Sequence, residues 1–338
     1  LLWGCSASQP ASGFSSGSGG SGGATSVNIG GAGTSGTSSG GAAASSGTSG
    51  VVIDTPDAGD AGDAGRPPRC DDAGRCTCIN IASLGRPAHY DETDAFQEWI
   101  NTQSSASFDL LVDRQPITAE LLAPYDIVIL QALEDKDFGP FWQMTQSETD
   151  ALATWVQAGG GLISLTGYEE DSSEITPTNQ LLSFTGISYN PDNILNGCLG
   201  TIPCSCWGSA MQVTGWQAAS PISANIEQVG AFRGHSINAG DATIVAHDEM
   251  YNFAVSKEMG KGKVFVFSDE WVTFTSQWLG TGQQQTIDMT SQCYDAANNR
   301  MLTADKVFQV PQFWYNVIKW ASPLTQCDFT IDNDTIVK

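Results

Sequence analysis

Three groups of acidic side chains stand where chemistry is feasible: Glu134-Asp135, Glu169 to Asp171, and Asp269-Glu270. Each follows a short apolar run: "IVIL" at 127–130, "LISL" at 162–165 and "VFVF" at 264–267. Two carboxyl groups held at a fixed separation act as general acid and base on a glycosidic bond. Asp269, Glu270 and Glu169 are the candidates for such a hydrolase, and Trp271, Phe274 and Trp278 are aromatic side chains that could stack on a sugar. The histidines are three: His89 in "RPAHYDE", His235 in "FRGHSIN" and His247 in "IVAHDEM". His247, with Glu249 two residues on, is the nearest to a general base; a metal shared by the carboxylates and His235 or His247 is a competing use.

Around the second run the available nucleophiles are the hydroxyls of Ser164 and Thr166, since no cysteine occurs between positions 79 and 197. Neither lies in a G-x-S-x-G frame. A hydroxyl depends on a positioned base far more than a thiol does. No catalytic residue is therefore assigned, and the reading leans towards a binding site lined by Glu134, Thr166, Tyr168, Glu169, His235, Asp269 and Trp271. EF-hand and RTX spacings are absent, and neither a cofactor nor a metal is expected.

For these residues to meet, the runs before them must be strands ending at one edge. "CTCINIASLG" (76–85) reads as a buried strand, and "DETDAFQEWINTQ" (91–103) as a helix with an acidic cap and Phe96, Trp99 and Ile100 on one face. "FDLLVD" (108–113) is a second strand; "TAELLAPYDIVILQAL" gives a short helix and a third strand at 127–130, apolar enough to be covered on both faces. "TQSETDALATWVQAGGG" is a helix with Thr145 or Ser147 as N-cap, ended by Gly159 to Gly161. A strand at 162–165 follows. This alternation predicts an α/β fold: a doubly wound, mostly parallel, flavodoxin-like three-layer sheet. The stretch from about 172 to 220 reads as an irregular, cysteine-rich insertion. "YNFAVSKEMGKGKVFVFSDEW" then gives two strands around a turn, and "VPQFWYNVIKWAS" a helix with Phe313, Val317 and Trp320 as its apolar stripe.

"LAPYDIVILQAL", "LATWVQAGGGLISLTG", "GKGKVFVFSDEW" and "NVIKWAS" occur in an order that resembles the class I glutamine amidotransferase-like superfamily, chiefly its ThuA-like and β-galactosidase-middle-domain-like members. The resemblance spans most of 79–322. It implies a nucleophile elbow after the strand at 162–165, with a cysteine on a tight turn and a distant His-x-Glu pair. Thr166-Gly167-Tyr168 stands there instead, so the resemblance implies the architecture without amide hydrolysis.

At the start of the chain, Leu2-Trp3-Gly4-Cys5 resembles a lipoprotein lipobox within a truncated signal (1–5), which makes Cys5 the lipidated residue. Ser6 after it points to the outer membrane or cell surface. Residues 6–68, mostly Gly, Ser, Ala and Thr and then "DAGDAGDAG", lack the apolar mass to fold and read as a disordered tether. Roughly 60 such residues reach about 40–47 Å. The folded domain is expected over 69–338, and no internal stretch is apolar and long enough to span a bilayer.

Cys70, Cys76, Cys78, Cys198, Cys204, Cys206, Cys293 and Cys327 form an even set suited to disulfides in an oxidising compartment; the Cys-x-Cys pairs are tighter than usual zinc spacings. With 37 acidic against 14 basic residues, net −23, nucleic acid is excluded as a partner. The expected partners are a membrane, through lipid on Cys5, and a carbohydrate or other envelope ligand.

Overall fold

The computed structural model describes residues 69–70, 76–87, 93–135, 139–167, 173–192, 211–213, 215–227, 229–231, 234–247, 251–275, 294–295, 300–301, 309–323 and 328–331. The chain divides into two units, Leu1–Asp57 and Ala58–Lys338, and every described residue belongs to the second. Cys5, the tether at 6–68, His89, Tyr168, Glu169, Trp278, Cys198, Cys204, Cys206, Cys293 and Cys327 lie outside the described residues.

Along the chain run β1 (Ile79–Leu84), α1 (Asp94–Gln103), β2 (Ala106–Leu111), α2 (Ala119–Leu122), β3 (Ile127–Leu130) and α3 (Gln146–Gln157). They are followed by β4 (Gly161–Ser164), α4 (Ile175–Leu182), β5 (Thr243–His247), β6 (Asn252–Met259), β7 (Gly262–Phe267) and α5 (Val310–Ala321). The seven strands form one sheet in the order β5-β6-β7-β4-β3-β1-β2. From β7 to β2 neighbours are parallel, while β6 is antiparallel to both β5 and β7.

Alternation within the strands builds two cores. Ile79, Ile81, Ile127, Ile129, Ile163, Phe265 and Phe267 face α1 and α5. Val128, Leu130, Leu162, Val264 and Val266 face α2, α3 and α4 on the other side. A strand covered on both faces must be apolar at every position, which is why β3 and β7 read as unbroken runs. The expected three-layer α/β architecture is the observed one.

The helices follow from their local chemistry. α1 buries Phe96, Trp99 and Ile100, but it starts at Asp94 behind Thr93, which makes no side-chain cap bond; the expected acidic cap is corrected. α3 begins at a capping box: Thr145 accepts from Glu148 N, and Glu148 reaches back to Thr145 N at 2.9 Å. Burial alone would raise the Glu148 carboxyl, yet hydrogen bonds from Ile117 N, Arg114 and Thr145 outweigh it and hold its pKa below the ordinary value. α5 buries Trp314 and Ile318 besides Phe313 and Val317, whereas Trp320 is only partly buried; the indole of Trp314 donates to Val272 O at 2.7 Å, which makes its burial tolerable.

The stretch expected to be irregular contains α4, whose Gln180 Nε2 donates to Met144 O at 2.8 Å and whose Gln180 O accepts from Thr149 at 3.3 Å. Ser188–Tyr189 pairs with Ile237–Asn238, and Met211–Val213 with Val229–Ala231, both antiparallel. α4, Ser188–Tyr189 and Met211–Val213 thus lie within the region expected to be irregular. At the opposite edge from the strand tips, the turn before β7 is fastened to the end of α3: Lys261 N donates to Gln157 O (3.0 Å) and Lys263 N to Gly160 O (3.3 Å).

Candidate functional site

β3, β4 and β7 end side by side, and the next residues are polar and buried: Gln131, Thr166, Ser268, Asp269 and Glu270 are all within 2% of full burial. Backbone pairing continues one step beyond the strands, Leu165 N donating to Leu130 O at 2.9 Å. The polar groups are therefore delivered on rigid backbone at the carboxyl edge of the sheet, where ligands bind in open α/β folds.

Glu174, at the start of α4, sits at the centre. Its Oε1 accepts from the Thr166 hydroxyl (2.9 Å) and from Gly167 N (2.6 Å). Its Oε2 lies 3.8 Å from His235 Nε2, beyond hydrogen-bonding reach. His235 Nδ1 is 3.1 Å from Asn190 O, and a carbonyl only accepts, so Nδ1 carries a proton. His235 N donates to Ser268 O at 3.0 Å, which fixes the histidine segment to the tip of β7. Close by, Ser236 N and Oγ both donate to the Asp192 carboxylate, at 2.8 and 2.5 Å.

Two glycines permit this convergence. A Cβ at Gly167 would overlap the Glu270 side chain, and one at Gly234 would overlap the Ser268 carbonyl. Behind them, the Tyr189 hydroxyl spans two strand ends, hydrogen-bonding Ser164 Oγ (3.1 Å) and Phe267 O (3.0 Å). Burial pushes its pKa far above the ordinary phenol value despite the Ser164 hydrogen bond, and the nearby Glu174 and Asp269 carboxylates push in the same direction. A second buried relay holds the acidic turn: Gln131 Nε2 donates to Ser83 Oγ (2.7 Å), Thr273 Oγ1 reaches Gln131 Oε1 at 3.4 Å, and Thr273 N donates to Glu270 O at 2.8 Å.

In a nucleophile–base–carboxylate triad the imidazole lies between the hydroxyl and the carboxylate. Here the carboxyl group of Glu174 lies between Thr166 and His235, so the three side chains do not stand in the order of such a triad. Among the described residues, no group of three or more His, Cys, Asp or Glu is placed to hold a metal.

Of the expected lining, Thr166, His235 and Asp269 come together, and Glu270, a candidate of the hydrolase reading, lies against Gly167 beside them. Glu134 does not join them: it is buried against Arg86 in a 3.1 Å ion pair that ties the ends of β1 and β3. His247 is exposed on the outermost strand β5, two strands away from β7. Trp271 is 8% exposed and stacks on Phe274 with ring centroids 5.6 Å apart, so neither ring is an open platform for a sugar. Glu174, Tyr189, Ser268 and Gln131 were not legible as site residues. Their roles depend on contacts between segments far apart in sequence, and no local pattern marks them.

An open, mostly parallel α/β sheet with a buried polar cluster at its carboxyl edge is thus the class of structure defined. No family model and no curated protein matches the chain. Among solved structures it is similar to the cytoplasmic protein STM1381 from Salmonella typhimurium LT2, with 14% identity over 72% of this chain and 100% of that one and a TM-score of 0.47. It is similar also to the mmIFT52 N-terminal domain, with 17% identity over 61% of this chain and 92% of that one and a TM-score of 0.46. The β-galactosidase from Rahnella sp. R3 gives 16% identity over 58% of this chain, but only 29% of the enzyme is covered, with a TM-score of 0.38.

Proposed function

We propose that this chain is an exported protein, anchored by lipid on Cys5 at the outer membrane or cell surface. Its amidotransferase-like α/β domain binds an envelope ligand and does not hydrolyse glutamine. The observation that carries the non-catalytic half is the Thr166 hydroxyl, committed to Glu174 at the strand end where the resembling superfamily keeps its cysteine. The lipobox-like start and the long polar segment after it support the anchoring half. Disulfides among the remaining cysteines belong to the same reading.

Ammonia release from glutamine and labelling by an electrophilic glutamine analogue test the non-catalytic half. Neither is expected from the wild-type chain; glutamine turnover abolished by Thr166→Val would sink it. Mass spectrometry of the Cys5 peptide from membranes tests the anchor, which fails if Cys5→Ala leaves the protein equally membrane-bound.

A second reading, a carbohydrate-active hydrolase, is favoured by one observation: Glu174 lies 3.8 Å from His235 and the preceding Gly234 packs against Asp269, so two carboxyl groups share one buried site. A glycoside panel in which Asp269→Asn and Glu270→Gln leave any turnover unchanged disposes of it.

A further inference from the structure

In the cluster, His235 Nε2 and Ser268 Oγ are buried without a hydrogen-bond partner among the described residues. Their residues are 2% and 0% exposed, and the backbone bond from His235 N to Ser268 O joins them directly. Leaving such groups unsatisfied costs about 1–3 kcal/mol each, so each implies a partner. In the neutral ring with Nδ1 protonated towards Asn190 O, Nε2 is a pure acceptor and requires a donor. Its nearest charged neighbour, Glu174 Oε2, is also an acceptor and stands too far off to bond.

We propose that the inner end of this site takes one alcohol hydroxyl, the exocyclic hydroxymethyl group of a hexose, which donates to His235 Nε2 and pairs with Ser268 Oγ. This deepens the binding reading above and rests on it. An alcohol both donates and accepts, so a single group serves an imidazole lone pair and a serine hydroxyl together. An anionic ligand is disfavoured by the buried carboxylates Glu174, Asp269 and Glu270 beside it. Both orphan atoms are enclosed, so the group that meets them must be narrow and cannot be the face of a ring. The burial of Trp271 against Phe274 agrees, because no aromatic plane is offered for stacking.

Calorimetric titration of the full chain with D-galactose, D-glucose and D-mannose, each against its 6-deoxy counterpart, tests this without any mutation. At least one hexose should bind, with its 6-deoxy form weaker by about tenfold or more, the scale of one buried hydrogen bond. His235→Asn keeps an N–H for Asn190 O but lacks the Nε2 acceptor; it should unfold at the wild-type temperature and lose the discrimination. Ser268→Ala should narrow it. Equal binding of hexose and deoxyhexose, no hexose binding at all, or discrimination surviving in His235→Asn would each overturn the proposal. Retention of envelope material by the wild-type chain in any of those cases would leave the broader binding reading standing, and glutamine turnover would remove that reading alone.

Discussion

Thr166 and Glu174 are joined by a hydroxyl-to-carboxylate hydrogen bond of 2.9 Å, both side chains buried, and the same carboxylate oxygen accepts from Gly167 N. The tip of β4 is thus closed by the first residue before α4. That closure joins the end of β4 to the start of α4.

Thr166→Val retains the shape of the side chain and removes the hydrogen bond. It should destabilise the domain by about 1–3 kcal/mol, read by urea denaturation, since a buried acceptor loses one of its donors. Thr166→Cys should be comparably stable to Thr166→Val and should release no ammonia from glutamine.

Gly167→Ala should destabilise by about 1–3 kcal/mol, because the added methyl overlaps the Glu270 side chain. Glu270→Ala in the same chain should recover part of the loss. A double-mutant cycle in thermal unfolding measures the coupling, and strict additivity would show that the two residues do not meet.

Glu148 makes the stability acid-sensitive. Its folded pKa is lowered, so its contribution is complete above the ordinary value of 4.5 and is lost as pH falls from there through the folded value. Glu148→Gln should cost about 2 kcal/mol near neutral pH through the weakened cap and the lost Arg114 pairing. The same variant should show a flatter decline of stability below pH 4.5 than the wild type. Denaturation midpoints between pH 3 and 7 check both the size and the sign.

Tyr189 makes the opposite end of the pH range costly. Its folded pKa is raised, so its contribution is complete below the ordinary value of 10.0 and declines as pH rises beyond it, where only the unfolded chain ionises. In a spectrophotometric titration Tyr189 should ionise only with unfolding. Tyr189→Phe should flatten the alkaline limb while costing about 1–2 kcal/mol at neutral pH for the lost bonds to Ser164 and Phe267.

The parts of the fold legible in the sequence are those set by local pattern. The apolar run Ile127 to Leu130 is a central strand with its expected bounds, and Thr145 with Glu148 marks the start of α3. α4 was missed because "ITPTNQLL" is poor in strong helix formers; docking onto α3 rather than propensity makes it a helix. At the site, Asp269 and Glu270 were legible because they end an apolar strand. Trp271 was misplaced because nothing local distinguishes an aromatic facing solvent from one folded back onto Phe274. Glu174 was invisible for the same reason: its partners Thr166 and His235 lie in other segments, and only the assembled sheet edge brings them within reach.

The sheet order has a consequence for how the chain comes to be folded. β4 pairs with β3 on one side and with β7 on the other, and about 100 residues separate Ser164 from its partner Val266. Until that distant partner docks, one flank of β4 is an unpaired edge. A bare strand edge of that kind is a template for pairing with other chains. β6 and β7 are joined by a tight turn and cover that edge together, β7 pairing with β4 while Lys261 N donates to Gln157 O. Truncation between β4 and β7 should thus appear as aggregation of the shortened chain.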